Sequence, residues 1–384
     1  MKEQISTQVA IIGGGIVGAS AALALRRMGL RVALLERDFC GSRSSGVNYG
    51  GVRRQGRPLE QLPLAQRAHG IWGRLKELIG IDGEYVRSGH LKLARSEADV
   101  TALEAYLQRT RGFDLGLQML GTRALRERSP WLGERAIAGS LCPQDGHANP
   151  RLVSPAFARA ARALGADVRE QTRIVEMAHD GERFMLRSEN GLEVRSRFLL
   201  NCAGAWAGTI AAQFGEPVPM SAGHPVMAVT EPLPLFMDRS LGVEGGGIYG
   251  RQVLRGNCVI GGGRGYALDD ERARPASEAI ATTMRQALEL LPALRGASVI
   301  RCWSGTEGYL PDHQPVISFS ATTPGLIHAF GFAGAGFQIG PAVGEVIAEL
   351  VRDGRSTTPI DAFAITRFNA STTTPVGRAL TTAD

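Results

Sequence analysis

Lysine is scarce in this chain. Lys2, Lys76 and Lys92 are the only three among 43 basic residues, which stand against 37 acidic ones for a formal charge of +6. The rest of the positive charge is arginine, scattered without any run of five or six. A nucleic-acid surface calls for a basic stripe, so no nucleic-acid partner is expected. Cysteine is sparse and unpatterned: Cys40, Cys142, Cys202, Cys258 and Cys302 form an odd set with no CxxC pair. That argues against a disulfide framework and against a structural zinc or iron–sulfur site, and fits free thiols in a reducing cytoplasm. Long apolar runs are missing too. The one candidate, residues 9–25, carries Gly13, Gly14, Gly15 and Gly18 and has only Lys2 as a basic flank. It reads as neither a signal peptide nor a membrane span, and a cytoplasmic location without a transmembrane segment is expected.

What is abundant is glycine, 49 residues in 384, where about 7% is average. No Gly-X-Y period accompanies it, so collagen is excluded. With 44% apolar and 21% charged residues the chain can bury a core. Division by about 150 residues predicts two to three domains. The glycines cluster at 13–15, 50–51, 245–247, 261–263 and 331–340, which marks backbone that must approach something closely.

The first cluster has a recognisable setting. VAII at 9–12 reads as a buried strand, Gly13-Gly14-Gly15-Ile16-Val17-Gly18 follows, and an apolar-periodic helix is predicted from Ala19 to Met28. A second strand, Arg31–Leu35, ends at Glu36. This is GxGxxG between a strand and a helix with an acidic residue 18 positions on, the dinucleotide-binding pattern. Gly13 permits the turn, Gly15 lets the backbone reach a pyrophosphate at the helix N-terminus, Gly18 allows close packing, and Glu36 can accept from a ribose hydroxyl. FAD and NAD both fit these residues. The segment Cys40–Arg54, rich in serine and glycine and ending on two arginines, reads as a long loop whose hydroxyls and amides can line a pyrophosphate.

Farther along, residues 57–80, 97–110, 151–164 and 276–291 read as helices. Short strands are predicted around 168, 172–178, 183–188, 192–196 and 198–203, with Asn190-Gly191 as a hairpin turn. Phe198–Ala203 runs into Gly204-Ala205-Trp206, a second glycine turn after a strand. From 218 to 263 the pattern is strand-rich, and a further strand is predicted at 299–303. Leu326–Ala329 leads into the glycine-rich stretch 331–340, after which a helix is predicted over Ala342–Arg352. Three nucleotide-like turns this far apart predict one cofactor domain of non-contiguous pieces. The fold class expected is α/β, a Rossmann-like cofactor-binding domain (1–86, 146–217, 304–370) with an interleaved β-rich substrate domain (87–145, 218–303) and a loose tail (371–384).

Gly13–Gly18 with Glu36, the Ser44–Arg54 loop, Asn201–Trp206, Trp303–Ile317 and Gly331–Gly340, taken in order and spacing, resemble the D-amino-acid-oxidase-type FAD-dependent oxidoreductases, the group of glycine and sarcosine oxidases. The strings EGYLPD and HAFGFAGAGFQIGP look most like FAD-carrying subunits of opine and hydroxyproline-type dehydrogenases. The resemblance implies noncovalent FAD. Its adenine half would meet Gly13, Gly15, Ile16, Val17, Gly18, Glu36 and Arg37, with Val175 contributing backbone. Ser44, Ser45, Asn48, Gly50 and Gly51 would flank the isoalloxazine. Ala203, Gly204, Trp206, Gly305 and the run Gly334, Ala335, Gly336, Phe337, Gln338 would complete the cradle, the last at the ribityl and pyrimidine end.

The implied reaction oxidises the carbon beside an amine of an N-substituted, cyclic or D-amino acid, by hydride transfer to flavin N5 and hydrolysis of the imine. Tyr249 matches the family's tyrosine over the flavin, and Arg53 an arginine near it. Where the glycine-oxidase pattern has an arginine for the substrate carboxylate, this chain has Glu307. An anion there suits a substrate with a basic arm, its carboxylate then falling to Arg53, Arg251 or Arg264. The oxygen-activating lysine of sarcosine oxidases corresponds to Ile260, so a dehydrogenase rather than an oxidase is expected. The resemblance also implies partner subunits in a larger complex. A stand-alone D-amino-acid dehydrogenase and a non-catalytic FAD-binding subunit are the alternatives.

Overall fold

The structure is a computed structural model, and it describes residues 3–369; the expected loose tail at 371–384 lies outside them. At its centre is a six-stranded sheet in the order Val316–Phe319, Leu326–Phe330, Phe198–Asn201, Val9–Ile12, Val32–Leu35, Asp167–Arg169. All neighbours pair in parallel except the first two, which are antiparallel. The central strands read as apolar runs, VAII, VALL and FLL before Asn201, because a sheet covered on both faces has no polar side to alternate with. One face packs on the helices Ile16–Arg27, Pro150–Ala163 and Gly336–Asp353. The other packs, through Ala10, Ala33, Leu35, Leu199 and Leu326, on Phe184, Leu186 and Val194. Those belong to a small four-stranded sheet of Gln4–Ser6, Glu193–Ser196, Phe184–Ser188 and Ile174–His179.

The second large sheet has eight strands, ordered Val299–Ser304, Pro225–Pro232, Asn257–Arg264, Tyr249–Gln252, Ser240–Val243, His90–Ala94, Ala138–Cys142, Gln118–Leu120. Its pairs are antiparallel apart from Ser240–Val243 against His90–Ala94, which run parallel. Helix Ser277–Leu290 and the short helix Thr122–Arg128 close its core around Leu91, Leu93, Leu125, Ile260 and Leu290. The three strands between residues 90 and 142 and the helix at 122–128 go beyond what the sequence pattern predicts. Two segments separated in sequence, 90–142 and 225–304, thus build this sheet together, while 9–35, 167–201 and 316–330 build the first.

Two sequence expectations are corrected. The first helix begins at Ile16, inside the glycine motif, rather than at Ala19. The last begins at Gly336 rather than Ala342, so the end of the glycine-rich stretch is helix and not turn. The reason is helix–helix contact. A Cβ on Gly344 would sit 2.5 Å from Ser20 Cβ and 2.6 Å from the Ala21 nitrogen, and one on Gly340 would sit 2.8 Å from Ile16 Cγ2. These glycines let the first and last helices lie against each other, and Gly340 belongs to that packing rather than to a ligand cradle.

Candidate active site

A single cavity of about 800 Å³ runs between the two large sheets. At one end it is walled by the GxGxxG turn. Gly13 has a φ of +107°, and a Cβ there would meet the Cys202 carbonyl oxygen at 2.3 Å. A Cβ on Gly18 would come within 2.0 Å of the Gly13 carbonyl oxygen, so Gly18 packs behind the turn and does not line the cavity. Gly15 caps the first helix and Ile16 and Val17 line its mouth. The Ile16 amide donates to the Ser45 hydroxyl at 2.9 Å.

Glu36 stands at the end of the second strand, where its Oε2 accepts from the Gly14 amide at 2.7 Å and its Oε1 from the Asp38 amide at 2.8 Å. Burial pushes its carboxyl above the ordinary range despite those bonds. Next to it the Arg37 guanidinium lies 3.8 Å from the Trp206 ring centre, a cation–π contact. Arg37 Nη2 is buried there without a partner. A buried donor left unpaired is costly, and at a cavity wall it marks the place of an acceptor from a ligand. Val175 lines the same end, beside Arg173.

The segment after Glu36 is tied into a defined shape and not an open loop. Ser44–Val47 forms one helical turn. The Asn48 side chain donates to the carbonyls of Ser44 and Ser45 at 3.0 and 2.9 Å and accepts from the Gly50 amide at 2.7 Å. The Ser44 hydroxyl donates to the Thr306 carbonyl. Gly51–Val52 pairs with Gly146–His147. Ser44, Ser45, Asn48, Gly50 and Gly51 all line the cavity, as do Ala203, Gly204, Trp206, Gly305, Gly334, Gly336 and Phe337. Ala335 and Gln338 do not. Gln338 turns away between helices, its Nε2 donating to the Ala65 carbonyl and its own carbonyl accepting from the Trp72 indole.

The far end lies against the eight-stranded sheet. Tyr249 lines it, its ring 5.0 Å from that of Tyr49 in an edge-on arrangement. Strand register places Tyr249 opposite Gly261, and a Cβ at 261 would fall 2.0 Å from Tyr249 Cε2. Gly261, in a cluster for which the sequence offers no reason, thus makes room for this ring, while Gly262 and Gly263 face Gly247, Thr283 and Ala279 instead. Burial raises the Tyr249 phenol's pKa, with Glu307 adding to the effect, so it remains a neutral hydroxyl. Met227, Val243 and Ile248 give this end apolar walls.

Of the three arginines expected for a carboxylate, only Arg53 lines the cavity. Arg251 is engaged elsewhere: its Nε donates to the Tyr49 carbonyl at 2.8 Å and its Nη1 lies 3.3 Å from His147 Nδ1. It props the Tyr49–Gly50 turn. Arg264, the last residue of its strand, lies over the Tyr309 ring at 4.9 Å and faces a separate pocket of about 320 Å³ that His313 also lines. Glu307 does line the main cavity. Its Oε1 accepts from the Gly334 amide at 2.8 Å and its Oε2 from the Tyr309 hydroxyl at 2.7 Å. Those bonds give the anion a use in holding the Gly334 turn, with no cationic substrate arm required. Ile260 is buried in the core of the second sheet.

The cavity also gathers residues that sequence reading passes over: Tyr49, Arg57, His90 and Lys92. Arg57 is 5% exposed. Its Nε donates to the Arg53 carbonyl at 3.3 Å, and burial with the nearby Arg53 charge presses its pKa down to about 9. His90 and Lys92 sit two apart on one strand, hence on one face. Gln55 Nε2 donates to the Ser140 carbonyl, so its Oε1 accepts from His90 Nδ1 at 3.2 Å. His90 Nε2 then carries the lone pair, and burial plus Arg53, Lys92 and Arg57 keeps the ring neutral. Lys92 pairs with Glu244. The loop carrying both arginines is fixed by Asp145, which accepts from the Arg54 and Gln55 amides at 2.9 Å each and pairs with Arg54 Nε at 3.1 Å. The alternation of HLKLA and the spacing of RRQGR are the signals that could have found them.

The profile described as "FAD dependent oxidoreductase", the DAO family, matches residues 8–350. The chain belongs to this family. It is 28% identical over 369 residues to a glycine oxidase of Geobacillus kaustophilus, covering 94% of this chain and 96% of that one. It is 28% identical over 372 residues to one subunit of an opine oxidase of Rhizobium meliloti, covering 94% and 97%. Among solved structures, L-proline dehydrogenase from P. horikoshii superposes with a TM-score of 0.88 at 26% identity, covering 96% and 99%. FAD is the cofactor of this DAO-family chain, and its reaction is flavin-dependent oxidation of an amine or amino acid. The residues present fit that cofactor. The glycine turn, the helix mouth behind it, Glu36 and the unpartnered Arg37 Nη2 supply what a dinucleotide needs. No helix among the described residues is long and apolar enough to cross a membrane.

Proposed function

We propose that this enzyme oxidises the C–N bond of an N-substituted, cyclic or D-amino acid, giving an imine that hydrolyses. The observation that carries the reading is continuity: one cavity leads from the glycine turn at Gly13 to Tyr249 and two arginines that have no acidic partner among the described residues. The segments 1–86, 146–217 and 304–370 would hold FAD and 87–145 and 218–303 would cover its reactive end. Gly13, Gly15, Glu36 and Arg37 would hold the adenine half. Ser44, Ser45, Asn48, Gly50, Gly51, Gly204, Gly305, Gly334, Gly336 and Phe337 would hold the rest. When bound, FAD accepts the hydride from the substrate's α-carbon.

The chain's own residues orient and desolvate the substrate. Arg53 and Arg57 bind its carboxylate. Tyr249 and Tyr49 confine the carbon chain, and Met227, Val243 and Ile248 exclude water. The cations around His90 disfavour a further positive charge, which keeps the substrate nitrogen neutral, the form that can release a hydride, while His90 Nε2 accepts its N–H. With the Lys92 ammonium tied to Glu244 and position 260 apolar, electrons pass to an acceptor other than oxygen. A partner chain is proposed for that role, in keeping with the opine oxidase relative, whose name makes it one subunit of its enzyme.

FAD is held noncovalently. Cys202 is the one cysteine at the cavity wall, and burial pushes its thiol up to about 12. Acid precipitation should release the yellow colour into the supernatant. Anaerobic mixing with a panel of sarcosine, prolines, opines and D-amino acids should bleach the flavin for one class. Absence of bleaching by every member would overturn the reading.

A further inference from the structure

The smaller pocket, of about 320 Å³, has no part in the chemistry above. A two-stranded ribbon, Ser221–Gly223 against Glu307–Tyr309, stands between it and the main cavity. Ser221, Ala222 and Gly223 line the outer pocket, while Glu307 and Gly308 line the main one. Among the described residues Tyr309 is the one that lines both. Its hydroxyl donates to Glu307 Oε2 at 2.7 Å. On the outer side the Arg264 guanidinium lies 4.9 Å from the Tyr309 ring centre, and His313 meets the same ring edge-on at 6.2 Å. Position 223 is shaped for this stack: a Cβ there would fall 2.5 Å from Tyr309 Cε2 and 2.7 Å from Arg264 Nη1. Arg264 is exposed and has no acidic partner among the described residues. No acidic residue lines the pocket, and Asp312 beside it is taken by Arg367 at 2.8 Å. A guanidinium stacked on a ring keeps its N–H edge free for a carboxylate. Once FAD lies along the main cavity, a substrate must reach the Tyr249 end past one of its walls. The ribbon is a wall with a cation outside it and Arg53 and Arg57 within.

We propose that the outer pocket is the site where the substrate is captured. Arg264 takes the carboxylate of the incoming amino acid, and Tyr309 is the partition that turns aside to admit it. The ring swings only when its hydroxyl releases Glu307. The carboxylate then passes from Arg264 to Arg53 and Arg57. The inference rests on the amine-oxidation reading above and adds the route by which that substrate arrives. It gives Arg264 a task outside the main cavity, and it gives Glu307 a second one besides holding the Gly334 turn.

The test uses the FAD-loaded enzyme and methylthioacetate, in which sulfur replaces the amine nitrogen so that no turnover follows. Stopped-flow mixing reads binding and release from the perturbed visible spectrum of the flavin. A residue on the route but absent from the final site alters how fast a ligand enters and leaves, and not how tightly it is held, because neither end state contains the contact. Arg264→Gln should therefore slow association and dissociation together, by about fivefold or more, with Kd changed by less than about twofold. The association rate of the wild type should fall with added salt and that of the variant should fall less. Arg264→Lys should restore part of the rate, and the neutral methylthioacetamide should not distinguish the variants from the wild type. Tyr309→Phe keeps the ring but frees it from Glu307, and should speed both entry and exit. Unchanged rates in Arg264→Gln would overturn the proposal. So would a weakened Kd with an unchanged association rate, which would put Arg264 on the bound carboxylate instead. A wild-type flavin that methylthioacetate leaves unperturbed would overturn it too. If the rates shift as expected but no amine bleaches the flavin, the route stands and the oxidation reading fails; bleaching by an amine with the rates unmoved has the reverse meaning.

Discussion

Replacing Gly261 by alanine should disable the enzyme while leaving its flavin in place. Gly261 lies on the strand Asn257–Arg264, opposite both Tyr249 and Met227. An added Cβ would meet Tyr249 Cε2 at 2.0 Å, Cζ at 2.4 Å and Met227 Sδ at 2.7 Å. The backbone at 261 is not left-handed, so the strain is purely steric. The methionine can swing, but the ring, closed in by Tyr49 at 5.0 Å between centres, must withdraw by about 1 Å or more. Overpacking of this kind costs about 1–3 kcal/mol of stability, and a displacement of about 1 Å at a positioned group costs roughly a hundredfold in rate. Anaerobic single-turnover bleaching measures the rate, and the visible spectrum with thermal unfolding reports flavin content and stability. Tyr249→Phe, which keeps the ring, should lose far less. A Gly261→Ala enzyme that bleaches at the wild-type rate would refute the idea that this ring's position matters to the reaction.

Other outcomes follow from the same geometry. Asp145→Asn should destabilise the protein by about 3–5 kcal/mol in denaturant unfolding, because it leaves the buried Arg54 charge uncompensated, and it should weaken carboxylate binding by loosening the Arg53–Arg57 loop. The buried pair of Glu216 and His328, 3.0 Å apart, should shape acid stability. Burial opposes the Glu216 charge, but bonds from His328, Ser320 and the Ala321 amide outweigh it and hold the carboxyl below its ordinary range. Its contribution is therefore fully present above about pH 4.5 and is lost as the pH falls through the lowered value, so Glu216→Gln should flatten the stability slope below pH 4.5. Finally, reduced enzyme exposed to air should reoxidise slowly compared with a dye acceptor, and rapid peroxide formation would show that Lys92 or another cation serves oxygen after all.

The sequence is most legible where structure is local. GxGxxG, Glu36 and the flanking strands are one contiguous βαβ unit, Val9 pairing with Val32 across a single helix, and the Asn190-Gly191 hairpin declares itself. The strands at 90–94, 118–120 and 138–142 pair among themselves but escape sequence reading because the sheet they belong to is completed by a distant segment, His90–Ala94 lying beside Ser240–Val243. The start of the last helix is obscured because Gly336 and Gly340 look like turn residues, and only the contact with Ile16 explains Gly340. The cofactor end of the cavity is largely readable from its motifs. The substrate end is not. Choosing among Arg53, Arg251 and Arg264 requires knowing which way each strand end faces, and Arg57, His90 and Lys92 become neighbours only when a loop and a distant strand share one wall.

The most direct test of the central claim is anaerobic stopped-flow with the bleaching substrate, comparing hydrogen with deuterium at the carbon beside the nitrogen. If the cavity from Gly13 to Tyr249 brings that carbon to FAD, bleaching should slow several-fold with deuterium and the product should be the corresponding imine or its hydrolysis products. Bleaching at an unchanged rate, or no bleaching while the flavin is bound, would contradict the account.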